Sequence, residues 1–139
     1  MLAFSRVRVC LVRRKPPVAD LAHVIGEDLQ LGPSGDLALV TADAETQQRI
    51  LHRLLTSPGT YIWQLSYGAG LPALIGSTVS QQQVAAVIRA QLGYEASVAT
   101  TPEPEVSVSD GLFGEINTTI IYTEKSTGIN QALTLSTGG

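Results

Sequence analysis

Leu54-Leu55-Thr56-Ser57-Pro58-Gly59-Thr60-Tyr61-Ile62-Trp63-Gln64-Leu65-Ser66-Tyr67-Gly68-Ala69-Gly70-Leu71-Pro72-Ala73-Leu74-Ile75-Gly76 joins two segments that both show helical periodicity. It holds three of the seven aromatic residues and four of the thirteen glycines, a density that marks a shaped corner and not a slack linker. Pro58-Gly59 specifies a turn, because proline presets its own φ and glycine accepts a positive one. Tyr61 to Leu65 reads as a short extended piece. In Tyr67-Gly68-Ala69-Gly70-Leu71, two glycines beside an aromatic let the backbone take positive φ or pass close to another element. The lysine and hydroxyl residue of a phosphate-binding loop are missing here, so a nucleotide site is not indicated.

Before this corner, Ala44, Gln47, Ile50, Leu51, Leu54 and Leu55 recur on one helical face and predict a helix over 43–55, with Asp43 as its N-cap and Glu45 favoured by the dipole. His52 and Arg53 fall where a helix C-terminus favours cations, which accounts for His52 without catalysis. After the corner, Val84, Val87, Ile88 and Leu92 predict a second helix over 79–92, with a Thr78/Gln81 capping box and Gly93 as C-cap. Upstream, Val18 to Ile25 reads as a short helical turn ending at Gly26. Gly32-Pro33-Ser34-Gly35 then turns a small hairpin that sets Leu29 and Leu31 against Leu37 and Leu39.

The last third is β-rich: Val98, Val106 with Val108, Leu112 to Thr123, and Ala132 to Leu135, with turns at Asp110-Gly111 and Ser126-Thr127-Gly128. In the longest strand Ile116, Thr118, Ile120 and Tyr122 share one face, while Asn117, Thr119, Ile121 and Thr123 share the other. The first face is the one that packs on the helices. The fold class is therefore α+β, two amphipathic helices on a mainly antiparallel sheet, with residues 18–139 as a single domain.

With 139 residues, one domain accounts for the whole chain. The single cysteine, Cys10, excludes an intrachain disulfide, and with only His23 and His52 beside it no structural zinc cluster or other cofactor is indicated. Apolar runs fall short of the roughly 20 residues that span a bilayer, and no signal-peptide block opens the chain, so it reads as soluble and cytosolic. Arg6, Arg8, Arg13, Arg14 and Lys15 give residues 1 to 15 a charge of +5 against −8 for the remainder. Residues 1–17, closed by Pro16-Pro17, form a basic arm or an edge strand guarded by its arginines. Phe4 is the one aromatic in this arm, so its basic residues favour a protein partner over nucleic acid.

No Gly-x-Ser-x-Gly elbow occurs. Glu95, beside Tyr94, is the one carboxylate with a setting that a glycosidase could use, yet a helix-to-strand corner also pairs such a glutamate with an arginine, Arg53 or Arg89. With no second carboxylate in a comparable setting, the residues point away from an enzyme.

The order of these pieces carries a resemblance. The hairpin closing on Gly35-Asp36-Leu37-Ala38-Leu39-Val40, a helix with Gln47-Gln48-Arg49-Ile50, then Leu54-Leu55-Thr56-Ser57-Pro58-Gly59 and Tyr67-Gly68-Ala69-Gly70-Leu71 resemble the baseplate wedge protein W family of contractile phage tails. That family is often labelled lysozyme-like and includes sheath initiators. The likeness covers residues 27 to 123. Of the Glu-Pro-Arg triplet usual after the family's second helix, only Glu95 is present, followed by Ala96 and Ser97. The resemblance implies a structural virion subunit, assembled in the host cytoplasm and present in six copies per baseplate. Its partners would be wedge proteins, sheath subunits and tail tube or hub proteins. It assigns Pro58, Gly59, Tyr67, Gly68, Gly70, Leu71 and Glu95 to the family's signature corner. It also implies that the C-terminal strands, through Ile116, Thr118, Ile120, Tyr122, Leu133 and Leu135, meet sheath arms by β-augmentation. The competing reading is a peptidoglycan-cleaving muramidase.

Overall fold

The structure is a computed structural model that describes residues 20–24, 27–40, 43–74 and 77–137. The basic arm, Cys10 and the boundary at residue 17 lie outside the described residues. In chain order the elements are β1 (Asp20–Leu21), β2 (Leu39–Val40), α1 (Asp43–Leu55), α2 (Leu71–Leu74), α3 (Gln81–Gly93), β3 (Glu105–Asp110), a 3-10 turn (Leu112–Gly114), β4 (Ile116–Thr123) and β5 (Asn130–Thr137). β3, β4 and β5 form an antiparallel sheet with β4 in the middle, and β1 pairs with β2 in a separate two-stranded ribbon. This is the α+β architecture that the periodicities imply.

Helices and sheet meet over one apolar core: Ile50 and Leu54 from α1, Val84, Ala85, Ile88 and Leu92 from α3, Val106 from β3, Ile120 and Tyr122 from β4, and Leu133 from β5. The strand alternation read from the sequence holds, since Thr118, Ile120 and Tyr122 are buried while Ile121 is exposed. Helix α1 has the expected bounds, but its buried face is turned toward Glu45 and Thr46, and Ala44 is exposed. Glu45 is tolerated there because Arg49, one turn on, pairs with it. Asp43 is the first helical residue, and its carboxylate accepts a hydrogen bond from Gln131 of β5 at 2.8 Å.

Local structure departs from the sequence reading at several points. Asp20–Leu21 is a strand and not part of a helical turn, because β2 supplies its partners: Asp20 lies opposite Val40, and Leu21 opposite Leu39. Leu39 is therefore taken by Leu21, while Leu31 does pair with Leu37 around the Gly32–Gly35 turn. Tyr61–Leu65 is not extended but folds through consecutive turns, with Gln64 N–H donating to Tyr61 and Tyr67 N–H donating to Gln64. The capping box of α3 is Ser80/Gln83, two residues later than expected. Gly93 stays helical, and Tyr94 is the C-cap. The expected tight turn at Asp110-Gly111 widens into the 3-10 turn, where Phe113 takes a φ of 61° and β4 begins only at Ile116. The short helix α2 carried too few residues to show a period.

Tyr122 places a hydroxyl in the core without a hydrogen-bond partner in alignment. Burial pushes its pKa up to about 12, and the carboxylates of Glu124 and Asp43 add to the shift, with Gln47 opposing it. The folded state thus holds the phenol proton more tightly than the unfolded chain. Stability is full below a pH of about 10 and falls as pH rises toward about 12, by about 2 kcal/mol. Urea unfolding across this range should show that decline in the parent and a flatter profile in Tyr122→Phe. At neutral pH the variant should lie within about 1 kcal/mol of the parent, because the hydroxyl has only a poorly aligned contact with Gln47 to lose.

Candidate functional site

The last carbonyls of a helix have no partner inside it. At the end of α1 the corner segment supplies two donors: Ala69 N–H donates to the Arg53 carbonyl in the last turn and Gly70 N–H to the Thr56 carbonyl just past it, both at 3.0 Å. To reach that position the chain runs against the helix end at Gly68 and Gly70, with φ of 109° and 62°. A Cβ on Gly68 would sit 2.2 Å from the Thr56 carbonyl oxygen, and one on Gly70 would sit 2.8 Å from Pro58 Cδ. Both uses foreseen for these glycines, positive φ and close approach, apply at once. Gly59, also at positive φ, turns the chain out of the helix. Leu71 enters the core, and Gln91 of α3 clamps the corner from the other side through Ser66 and Gly68.

Arg53 joins this corner to the rest of the fold. Its guanidinium lies 4.4 Å above the Tyr67 ring centroid, and its Nε is 3.5 Å from Glu95 Oε2. Both charged side chains are about nine-tenths buried. The Nε makes no aligned hydrogen bond, so the attraction is chiefly Coulombic. Of the two arginines that the sequence offered Glu95, Arg53 is the partner, and Arg89 instead donates to the Val106 carbonyl. Burial raises the pKa of the Tyr67 hydroxyl, with Arg53 opposing and Glu95 reinforcing the shift.

Of the three corner aromatics only Tyr67 is partly buried. Trp63 is 82% exposed, and Tyr61, Ile62 and Leu65 are exposed beside it, so the outer loop presents an apolar surface. His23 and His52, which the sequence left apart, come together at a cavity of about 460 Å³ that Leu55, Thr56, Tyr61 and Tyr67 also line. Among the described residues no group of three or more His, Cys, Asp or Glu side chains is placed to hold a metal ion. No helix among them is long and apolar enough to cross a membrane.

The sheet requires a correction of the expected contact residues. β4 is paired on both sides, and Thr118, Ile120 and Tyr122 are buried against the helices, with Ile116 partly so. An internal strand has no free backbone groups, so these residues build the sheet and cannot template a new strand. Leu133 of β5 is likewise core, and Leu135 packs against it. The outer edges belong to β3 and β5. At the β4–β5 turn the Glu124 N–H donates to the Ile129 carbonyl. Alternation along an antiparallel ladder then makes Tyr122–Gln131, Ile120–Leu133 and Thr118–Leu135 the hydrogen-bonded pairs. The N–H and C=O groups of Asn130, Ala132, Thr134 and Ser136 consequently point away from β4, and no strand among the described residues pairs with them.

The two edges differ in chemistry. β3 follows Pro102 and Pro104, carries Glu105 and Asp110, and is covered by α3, from which Arg89 caps Val106 and Gln81 holds Asp110. Those are the devices that keep a sheet edge from pairing. β5 has eight residues without a charge or a proline.

No family model matches the chain, and no curated protein matches it in sequence. Among solved structures, a provisionally named tail lysozyme from Geobacter sulfurreducens matches with a TM-score of 0.51 and 20% identity, covering 71% of this chain and 94% of that one. The fold is similar to that of a tail protein. A looser overlap, with a TM-score of 0.45 and 15% identity over 86% of this chain and 85% of the other, is with a chain of the anti-feeding prophage baseplate. At such identities the likeness is one of fold, and function has to be argued from the sites.

Two stability measurements probe the corner. Gly68→Ala should cost about 3 kcal/mol or more in urea unfolding, since it adds a backbone clash to a strained φ, whereas Gly59→Ala, with open space around it, should cost about 1 kcal/mol. In a double-mutant cycle, Arg53→Met and Glu95→Gln should each cost about 3 kcal/mol. Together they should cost less than their sum by about 1–3 kcal/mol, because each single change leaves a buried partner unmatched.

Proposed function

We propose that this protein is a structural baseplate subunit of a contractile phage tail or related injection machine, and that it starts sheath polymerisation by accepting a strand from a sheath subunit along the open edge of β5. The observation that carries the reading is that edge: eight uncharged residues, free of proline, with the outward backbone groups of Asn130, Ala132, Thr134 and Ser136 unpaired among the described residues. A long unguarded edge invites aggregation unless a partner strand covers it, and β-augmentation supplies such a partner. The signature corner, Leu54 to Gly59 with Tyr67 to Leu71, supports the same family, as does the shared fold with a tail protein. The exposed loop around Trp63 is the surface that we assign to the wedge neighbour, since large apolar side chains at such exposure fit an interface. The tail tube or hub would lie within reach of the same assembly, with six copies around the baseplate and assembly in the bacterial cytoplasm.

In this reading the protein is not an enzyme. Glu95 is held by Arg53 inside the corner, and Glu45 is held by Arg49. Asp43 and Glu124 flank Tyr122. Among the described residues, the cavity of about 460 Å³ beside His23 and His52 has no carboxylate in its lining, and Glu103 and Glu105, which do line a cavity, face one of only about 160 Å³. A muramidase needs two carboxylates facing a cleft. The purified protein is therefore expected to leave a cell-wall suspension turbid, and lysis abolished by Glu95→Gln would favour the muramidase instead.

The ladder alternation supplies a clean test of the edge. Thr134→Pro removes an N–H that points outward and leaves the bonds to β4 in place, which is the setting in which edge strands tolerate proline. Tails carrying this variant should keep their wedges and lack sheath in electron micrographs. Leu133→Pro removes a bond to β4 and should unfold the sheet. Normal sheaths on Thr134→Pro tails would refute strand addition at β5.

A further inference from the structure

We propose that His23 and His52 form a two-histidine site for a borderline divalent cation such as Zn²⁺ or Co²⁺, bridging the β1–β2 ribbon to α1. His23 Nδ1 and His52 Nε2 lie 3.3 Å apart, with the rings inclined at 73°. Two imidazole nitrogens bound tetrahedrally at about 2.0–2.1 Å from zinc are separated by about 3.3–3.4 Å, so the pair already has the bite of a zinc chelate. Imidazole is also the donor that suits this group of metals.

The spacing is held from both sides. Gln48, one turn before His52 on the same helix, accepts from the backbone N–H of His23 at 2.9 Å and donates to the Leu21 carbonyl at 2.8 Å. The Ala22 N–H donates to the Ala38 carbonyl at 2.8 Å, which pins the ribbon just before the histidine. Both rings are half-buried and open onto the cavity lined by Thr56, Tyr61 and Tyr67. No third His, Cys, Asp or Glu among the described residues completes the set. Water, or a donor from a neighbouring subunit, would fill the remaining positions.

Metal binding requires a lone pair from each ring. Each ring would then carry its proton on the nitrogen distal to the cation. The cation would join a ribbon that contributes nothing to the main apolar core to a helix that does.

The test uses full-length, tag-free protein titrated with Co²⁺, followed by the visible d–d absorption of tetrahedral cobalt and by displacement with Zn²⁺. Saturable one-to-one uptake is expected, accompanied by a rise in melting temperature. His23→Ala and His52→Ala should each weaken binding by about tenfold or more, at least the loss that follows removal of an outer-shell partner. Cys10→Ser should bind like the parent. Should an alanine variant fail to fold, paramagnetic broadening by Co²⁺ in the parent must centre on the His23 and His52 ring signals. Absence of saturable uptake, retention of affinity in both alanine variants, loss of it in Cys10→Ser, or broadening centred elsewhere would each overturn the site.

Discussion

The structure depends on how one helix ends. At the end of α1 the Arg53 carbonyl and, one residue past the helix, the Thr56 carbonyl accept from the N–H groups of Ala69 and Gly70, residues that the chain reaches only after a full loop through Trp63. That return requires backbone to lie against backbone, and the Gly68 position leaves no room for a side chain. Once the helix end is closed in this way, the direction of the chain into α2 and α3 is fixed, and with it the surface on which the sheet packs. Tyr67, Arg53 and Glu95 then tie the corner to the segment after α3, so the α1–α2 and α3–β3 connections are locked by the same few residues.

A corner so built leaves the two sheet edges unlike each other. α3 lies against β3 and places Arg89 and Gln81 on it, whereas the side-chain hydrogen bond that β5 takes from a helix among the described residues, Gln131 to Asp43, lies on the inner face and leaves the edge alone. The difference between the edges therefore follows from where α3 was put, and β5 carries no charge or proline to guard an edge that no strand among the described residues covers. The apolar loop around Trp63 stands free for a related reason. Its backbone is committed to capping and turning, which leaves its side chains outside the core.

Much of this was legible in the residues. Period 3.6 gave the helices, and α1 to the residue at both ends, because Asp43 and the Pro58-Gly59 turn bound it sharply. Period 2 gave β4 and the face it buries. Glu95 as an arginine partner followed from its place at a helix-to-strand corner. The misplaced features have physical causes. A two-residue strand such as Asp20–Leu21 has no period and exists only because β2 pairs with it. Thr78/Gln81 and Ser80/Gln83 are equally good capping boxes in sequence, and the helix start is decided by where Val84 must enter the core. Tyr61–Leu65 is not extended because its backbone is spent on turns, and this leaves Trp63 exposed.

What the sequence determined by itself is local: which segments are amphipathic, which face of each is apolar, and where glycine is the residue the backbone needs, since these depend on side-chain type and spacing within a few residues. Strand order, edge chemistry and the meeting of His23 with His52 were decided only by the tertiary structure. Ile120 and Leu133 look alike as alternating apolar residues, yet one belongs to an internal strand and the other to an edge, because a strand's position in a sheet depends on partners distant in the chain. For the same reason the outward N–H groups of β5 are invisible in composition and follow only from the register that the ladder with β4 imposes.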